Sequence, residues 1–139
     1  MLRYQASHPR GLGAVRQARH GLIDFAAACG FRGSVLADIE NAVGEALANA
    51  AEHGNHGGSA GIDVSATFAD ACLVIEVQDR GAGFDCATAV KDATADAFGN
   101  RGFGIFLMRT LMDEVAYTAR GSRIQLVKRL GDGPFQSAS

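Results

Sequence analysis

The sequence contains no tryptophan and only two prolines, and aromatic residues make up just 7% of its 139 positions. So few aromatic rings argue against a platform on which nucleic-acid bases would stack. Lysine and arginine number 13, against 15 aspartates and glutamates, which gives a formal net charge of −2. That balance provides no electrostatic attraction for a nucleic acid or an anionic membrane. We therefore expect neither as a partner.

Long apolar segments are absent as well. The sequence has no run of about 18 apolar residues, the length that a membrane-spanning helix needs. The first residues, MLRYQASHPRG, lack the apolar centre of a secretion signal, so we expect a cytoplasmic protein. Its three cysteines, Cys29, Cys72 and Cys86, lie far apart without a CxxC pair. This spacing predicts reduced and mostly buried thiols rather than a disulfide framework or a metal site.

What the sequence does have is a hydrophobic fraction of 47%, enough for one domain over residues 1–139. Apolar residues spaced by three and four predict three helices, over 10–29, 34–54 and 103–113. Short apolar segments predict five strands, over 2–6, 62–68, 72–79, 115–119 and 123–129. The order β-α-α-β-β-loop-α-β-β favours an α+β fold, a two-layer sandwich with helices on one face of a mixed, mostly antiparallel sheet.

The second predicted helix carries Glu45 and Asn49, which lie one turn apart on the same face. This face is nearly opposite the apolar stripe, so a solvated polar surface is one interpretation. A functional site is the other. Magnesium takes only one or two protein oxygens and keeps water or phosphate oxygens as its other ligands. Asn49 could supply one such oxygen, while Glu45 could orient or deprotonate a nucleophile.

A predicted strand ends at Asp79, which begins a D-x-G-x-G pattern with Gly81 and Gly83. Many strands end in an acidic turn without function. Glycines, however, allow a ligand to lie against the bare backbone. A carboxylate fixed at a strand end can also accept a hydrogen bond from an exocyclic amine such as that of adenine.

The third predicted helix begins within the segment Gly102, Phe103 and Gly104. Free N–H groups at a helix N-terminus can bind phosphate, although a simple turn is the alternative. The common nucleotide fingerprints do not account for these glycines. No G-x-G-x-x-G follows the first strand, and G-x-x-x-x-G-K-[ST] does not occur.

Taken together, the ExxxN, DxGxG and GFG motifs resemble the N box and the two glycine boxes of the GHKL superfamily, which has the Bergerat fold. Within it, the whole chain resembles the stand-alone anti-sigma-factor serine kinases of the RsbW and SpoIIAB type. The resemblance extends to the segments GIFLMRTLMDEV and GSRIQLVKRL. It implies a histidine-kinase-like ATPase fold that binds ATP and Mg²⁺.

The resemblance also implies roles for individual residues. Glu45 would be the catalytic base, Asn49 the Mg²⁺ ligand, and Asp79 the residue that binds the adenine amine. Residues 84–101 would form a lid over the nucleotide. Residues 131–139 are predicted from the sequence itself to be a frayed tail. Further positions expected to bind the nucleotide are Gly81, Gly83, Arg101, Gly102, Phe103, Gly104 and Ser122. A solvent-facing side chain is the alternative for Arg101.

The implied function is a serine/threonine-protein kinase in a partner-switching circuit. It would phosphorylate a STAS-domain antagonist of an anti-sigma factor, and it would sequester a sigma factor, acting as a homodimer. The alternative is a non-catalytic protein that uses bound nucleotide to hold a sigma factor or another regulator. Glu45 does not separate the two, because related ATPases and histidine kinases carry the same glutamate.

Overall fold

The computed structural model describes residues 1–9, 13–57, 61–79, 98–118 and 123–131. These residues form helices and strands in the predicted order, which confirms the α+β class. The elements are β1 (Leu2–Pro9), α1 (Ala14–Ala28), α2 (Gly33–Gly57), β2 (Gly61–Ala69), β3 (Cys72–Asp79), α3 (Phe98–Leu111), β4 (Glu114–Thr118) and β5 (Arg123–Arg129).

The boundaries of most elements differ from the prediction by at least one residue, and three of the larger differences lie in β1, α2 and α3. Strand β1 continues to Pro9, which is tolerated because β1 is an edge strand and proline stands at its last position. Helix α2 passes its predicted end at Gly54 and reaches Gly57. Helix α3 begins at Phe98, five residues before the predicted start at Phe103. Glycine costs a helix only about 1 kcal/mol, so the glycines in these segments do not terminate either helix.

Helix α1 ends as its sequence predicts, next to Gly30. The amide of Gly30 donates to the oxygen of Ala27, and the amide of Phe31 donates to the oxygen of Ala26. Gly30 has a positive φ of 114°, so this is a Schellman motif, in which glycine avoids the strain that a side chain would cause. The motif turns the chain so that the Phe31 ring is buried in the core.

The five strands form one sheet in the order β1-β2-β3-β5-β4, and all pairings between the described strands are antiparallel. Strand β3 lies at the centre. Its alternate residues Leu73, Ile75 and Val77 are buried, because they face the helices. The residues between them face the other side of the sheet, where the amide of Gln125 donates to Glu76 across 3.1 Å.

The helices cover one face of the sheet. Helix α2 is the central one, since it packs against α1, α3 and β3. None of the helices that the structure describes is both long and apolar enough to cross a bilayer.

Burial raises the pKa of the Cys29 thiol at the end of α1. The largest fully buried side chains of the core are Leu22, Phe31, Ile39, Val43, Leu47, Val64, Leu73, Ile75, Val77, Met108 and Leu126.

Candidate functional site

The candidate site begins on the polar face of α2, where Glu45 and Asn49 lie one turn apart. Asn49 is 9% exposed, and Glu45 is half-buried. A solvated polar face would leave both side chains in water, so that interpretation does not describe Asn49. The reason is tertiary, because α2 is packed between α1 and α3.

Asp79 is the last residue of β3, the central strand, and it is only 3% exposed. Side chains alternate along a strand, so Asp79 faces the helix layer together with Val77. Burying a carboxylate is costly unless other groups interact with it. A buried aspartate at a strand end is therefore unlike the exposed acidic turn that the sequence left open.

The topology brings Asp79 to the same end of the sandwich as the second half of α2. Only residues 58–60 separate the end of α2 from the start of β2, so these two ends must lie close together. Ile62, near the start of β2, is opposite Asp79 in the β2–β3 pairing. Asn49 and Asp79 thus come from neighbouring elements at one end of the molecule.

Glu45 and Gly104 are in direct proximity across the α2–α3 interface. A Cβ built on Gly104 would lie 2.9 Å from Oε2 of Glu45 and 3.8 Å from its Cδ. Gly104 itself is buried. The carboxylate of Glu45 therefore rests against the backbone of α3, in space that any other residue at position 104 would fill.

The start of α3 does not lie where the predicted phosphate-binding site requires it. Because α3 begins at Phe98, Gly102, Phe103 and Gly104 lie inside the helix rather than at its N-terminus. Only the first four N–H groups of a helix lack intrahelical partners. In this conformation the free amides are those of residues 98–101, so residues 98–101 of the predicted lid form the first turn of α3.

Several predicted positions fall outside the described residues. These are residues 84–97 of the lid, the tail from residue 132, Cys86, Gly81, Gly83 and Ser122. Arg101 and Phe103 are described as part of α3, without their side chains.

One contact between α1 and α2 was not anticipated. Arg19 of α1 is partly exposed, and its Nη1 lies 3.9 Å from the position that a Cβ on Gly44 would take. Its guanidinium therefore lies over the turn of α2 that carries Glu45. No local pattern predicts this position, because it depends on how α1 and α2 cross.

The donor set fits ATP with magnesium. Within the described part of the chain, no group of three or more His, Cys, Asp or Glu residues could hold a metal ion. Magnesium bound with a nucleotide needs only one or two protein oxygens beside phosphate and water, and Asn49 carries such an oxygen. Asp79, which is buried, and Glu45, which rests against Gly104, add carboxylates to this donor set.

Comparison with known proteins identifies the family. Residues 9–128 match the model of the histidine kinase-like ATPase domain. The serine-protein kinase RsbW of Listeria monocytogenes is 32% identical over 127 residues, which cover 85% of this chain and 81% of that protein. The chain belongs to the RsbW-like family of anti-sigma-factor serine kinases. RsbW of Bacillus pumilus is similar to it at 31% identity over 133 residues, covering 88% of this chain and 80% of that protein.

Solved structures agree with this family. The structure of the RsbU and RsbW domains of a Mycobacterium tuberculosis protein has a TM-score of 0.66 and 25% identity. It matches 94% of this chain, which spans 33% of that longer protein. The SiaB–SiaC complex of Pseudomonas aeruginosa contains a chain with a TM-score of 0.62 and 14% identity, covering 91% of this chain and 88% of that one. At this identity the likeness concerns the fold alone.

Proposed function

We propose that this protein is a cytoplasmic, ATP- and Mg²⁺-dependent serine/threonine-protein kinase that phosphorylates a STAS-domain antagonist and sequesters a sigma factor. The observation that carries the proposal is the position of Glu45. Its carboxylate is half-buried, lies one turn from buried Asn49, and rests against the glycine-containing segment of α3. Family membership supports the same reaction, since the two relatives described above are named serine-protein kinases.

The proposed chemistry is transfer of the γ-phosphoryl group to a serine or threonine hydroxyl of the partner. The bond from the hydroxyl oxygen to phosphorus forms, while the bond from phosphorus to the bridging oxygen breaks and ADP leaves. Glu45 accepts the hydroxyl proton, a contribution typically worth hundreds to thousands of fold in rate. When bound, Mg²⁺ would neutralise charge on the phosphates, and Asn49 would be its ligand from the protein.

The remaining roles concern nucleotide binding. Asp79 accepts a hydrogen bond from the adenine amine, and its burial favours a specific contact over a solvated one. The other proposed contacts carry over from the family motifs: Gly81 and Gly83 at the adenine, Ser122 near it, and Arg101, Gly102, Phe103 and Gly104 at the phosphates. For these amides to reach a phosphate, α3 must open as far as Phe103, which frees the amide of residue 104 while Gly104 stays against Glu45.

The partners follow from the same family. We infer a STAS-domain protein as phosphate acceptor, a sigma factor as the sequestered protein, and a homodimer as the active form. Affinity capture from native lysate, followed by peptide identification, tests these partners. Recovery of a STAS protein with a sigma factor supports the circuit, whereas recovery of neither contradicts it.

Phosphoryl transfer itself is tested with purified protein, Mg²⁺, γ-labelled ATP and the cognate STAS protein. Wild type should label a serine or threonine of the STAS protein. Glu45→Gln should abolish labelling while nucleotide affinity stays nearly unchanged, because the two side chains have the same shape. Glu40→Gln, at an exposed position of the same helix, is the matched control and should transfer normally.

The outcomes separate the proposed kinase from a binding protein. ATP binding without transfer by the wild type would replace the kinase with a nucleotide-dependent binding protein. Transfer by Glu45→Gln at the wild-type rate would show that Glu45 is not the base.

A further inference from the structure

We propose that Gly104 is a positioning residue for Glu45, and that its lack of a side chain sets the place of the carboxylate. Its consequence for catalysis rests on the proposed function, in which Glu45 accepts the hydroxyl proton. It assigns Gly104 a role that differs from presenting a backbone amide to a phosphate. The evidence is the contact between α2 and α3.

The contact is closer than any side chain at position 104 would allow. A Cβ there would lie 2.9 Å from Oε2 of Glu45, whereas ordinary contacts begin at 3.4 Å. The difference is 0.5 Å, so the oxygen must move by about that distance. The Cδ atom, at 3.8 Å, already has room. The movement therefore falls on the carboxylate oxygen.

Among the residues that the structure describes, only the Glu45 carboxylate opposes a side chain at this position. The atoms within 4 Å of the added Cβ, apart from its chain neighbours and its own helix backbone, belong to Glu45. The carboxylate is the end of a flexible side chain, so it can move without disturbing the backbone. Alanine is also the better helix former. A glycine inside α3 is thus not favoured by the stability of the helix.

The expected cost falls on the reaction. A catalytic group has to be held within about 0.5 Å and 10–20° of its productive geometry, and a 1 Å misplacement can cost about a hundredfold in rate. Gly104→Ala should therefore lower kcat for transfer by about tenfold. The backbone amide of residue 104 is unchanged in the variant, so KM for ATP should stay within about twofold.

The experiment compares Gly104→Ala with Gly44→Ala in the full chain. Gly44 lies beside Glu45 in α2, and the nearest atom to its added Cβ is Nη1 of Arg19 at 3.9 Å, an ordinary contact. Both variants add one methyl group to a packed helix. Of the two, Gly104→Ala places that methyl group against the Glu45 carboxylate. Gly44→Ala should keep wild-type kcat. Both variants should unfold at or above the wild-type temperature.

A crystal structure of Gly104→Ala gives a readout that does not depend on transfer. A displaced Glu45 carboxylate with low kcat and unchanged KM for ATP supports the proposal. An unmoved carboxylate, wild-type kcat, or a rise in KM for ATP that matches the loss of rate would overturn it. If the wild type shows no transfer, the kinase proposal fails, and the carboxylate position in the variant still decides whether Gly104 sets its place.

Discussion

Lys128 donates a hydrogen bond from Nζ to the main-chain oxygen of Leu111, 2.6 Å away. Leu111 is the last residue of α3, and the last four carbonyls of a helix have no intrahelical partners. The ammonium group also meets the negative end of the helix dipole. Lys128 of β5 thus fixes the C-terminal end of the helix that carries Gly104.

We predict that Lys128→Met lowers the free energy of unfolding by about 1–2 kcal/mol, because a partly buried carbonyl loses a charged donor. Urea denaturation measures this loss. Arg129→Met is the control, since its ion pair with Glu114 joins two side chains that are each 60% exposed. Such surface pairs contribute about 0–1 kcal/mol. Equal losses in both variants would contradict a special role for Lys128.

A second prediction concerns Gly21, in the middle of α1. The hydroxyl group of Tyr4 occupies the space that a Cβ on Gly21 would need, and Cζ of Tyr4 would be 2.8 Å away. The Tyr4 ring also packs against Phe25, one turn further along α1, with ring centroids 5.9 Å apart. Gly21→Ala should therefore destabilise the protein by about 1–3 kcal/mol, the usual cost of overpacking, although alanine favours a helix.

Two comparisons test the cause of that loss by thermal unfolding. Gly44→Ala in α2, whose added Cβ makes an ordinary contact with Arg19 of α1, should be neutral or stabilising by about 0.5–1 kcal/mol. In a Tyr4→Ala background, Gly21→Ala should no longer destabilise, because the two residues share one space. Additive losses in the double variant would rule out the overlap.

Local pattern predicted much of the fold. Strand β5 has its predicted bounds, 123–129, because buried residues alternate along it as the sequence does. The end of α1 was predicted from Gly30, which takes the positive φ that a Schellman motif requires. Both features depend on neighbours in the sequence, which is why the sequence alone reveals them.

Features that depend on packing were predicted less well. The burial of Asn49 follows from the packing of α2 against α1, α3 and the sheet, and a helical wheel does not contain that information. The early start of α3 was missed because glycine was interpreted as a helix boundary. The glycines at 102 and 104 weaken the helix without ending it. The candidate site residues could be proposed from motifs, whereas the Glu45–Gly104 contact depends on the crossing of two helices.

The turn between β2 and β3 supports a third prediction. Asp70 and Ala71 both have positive φ, 54° and 58°, as in the type I′ turns that join two-residue hairpins. Aspartate tolerates this conformation, but alanine is strained there by about 1 kcal/mol. Ala71→Gly should therefore stabilise the protein by about 0.5–1 kcal/mol. The amide of Leu130 donates to the oxygen of Ala71 across 2.8 Å, a bond that the change retains.

Chemical denaturation measures the effect of Ala71→Gly, with Ala69→Gly as its control. Ala69 ends β2 and pairs with Cys72. Glycine there raises the conformational entropy of the unfolded chain without relieving strain in the folded one. This control should be neutral or destabilising. A loss of stability in Ala71→Gly would show that the turn does not strain Ala71.

The fourth prediction tests Asp79 by nucleotide affinity. Asp79→Asn keeps the size of the side chain but replaces one acceptor oxygen by a donor, which would face the donating amine of adenine. A buried polar mismatch of this kind costs about 1–3 kcal/mol, so we expect ATP to bind at least about tenfold more weakly by calorimetry. The preference for ATP over GTP should fall as well, because GTP lacks that amine.

Glu76→Gln is the control, since Glu76 lies on the opposite face of the same strand and accepts from Gln125. Unchanged affinity in Asp79→Asn, or an equal loss in Glu76→Gln, would remove Asp79 from the adenine site.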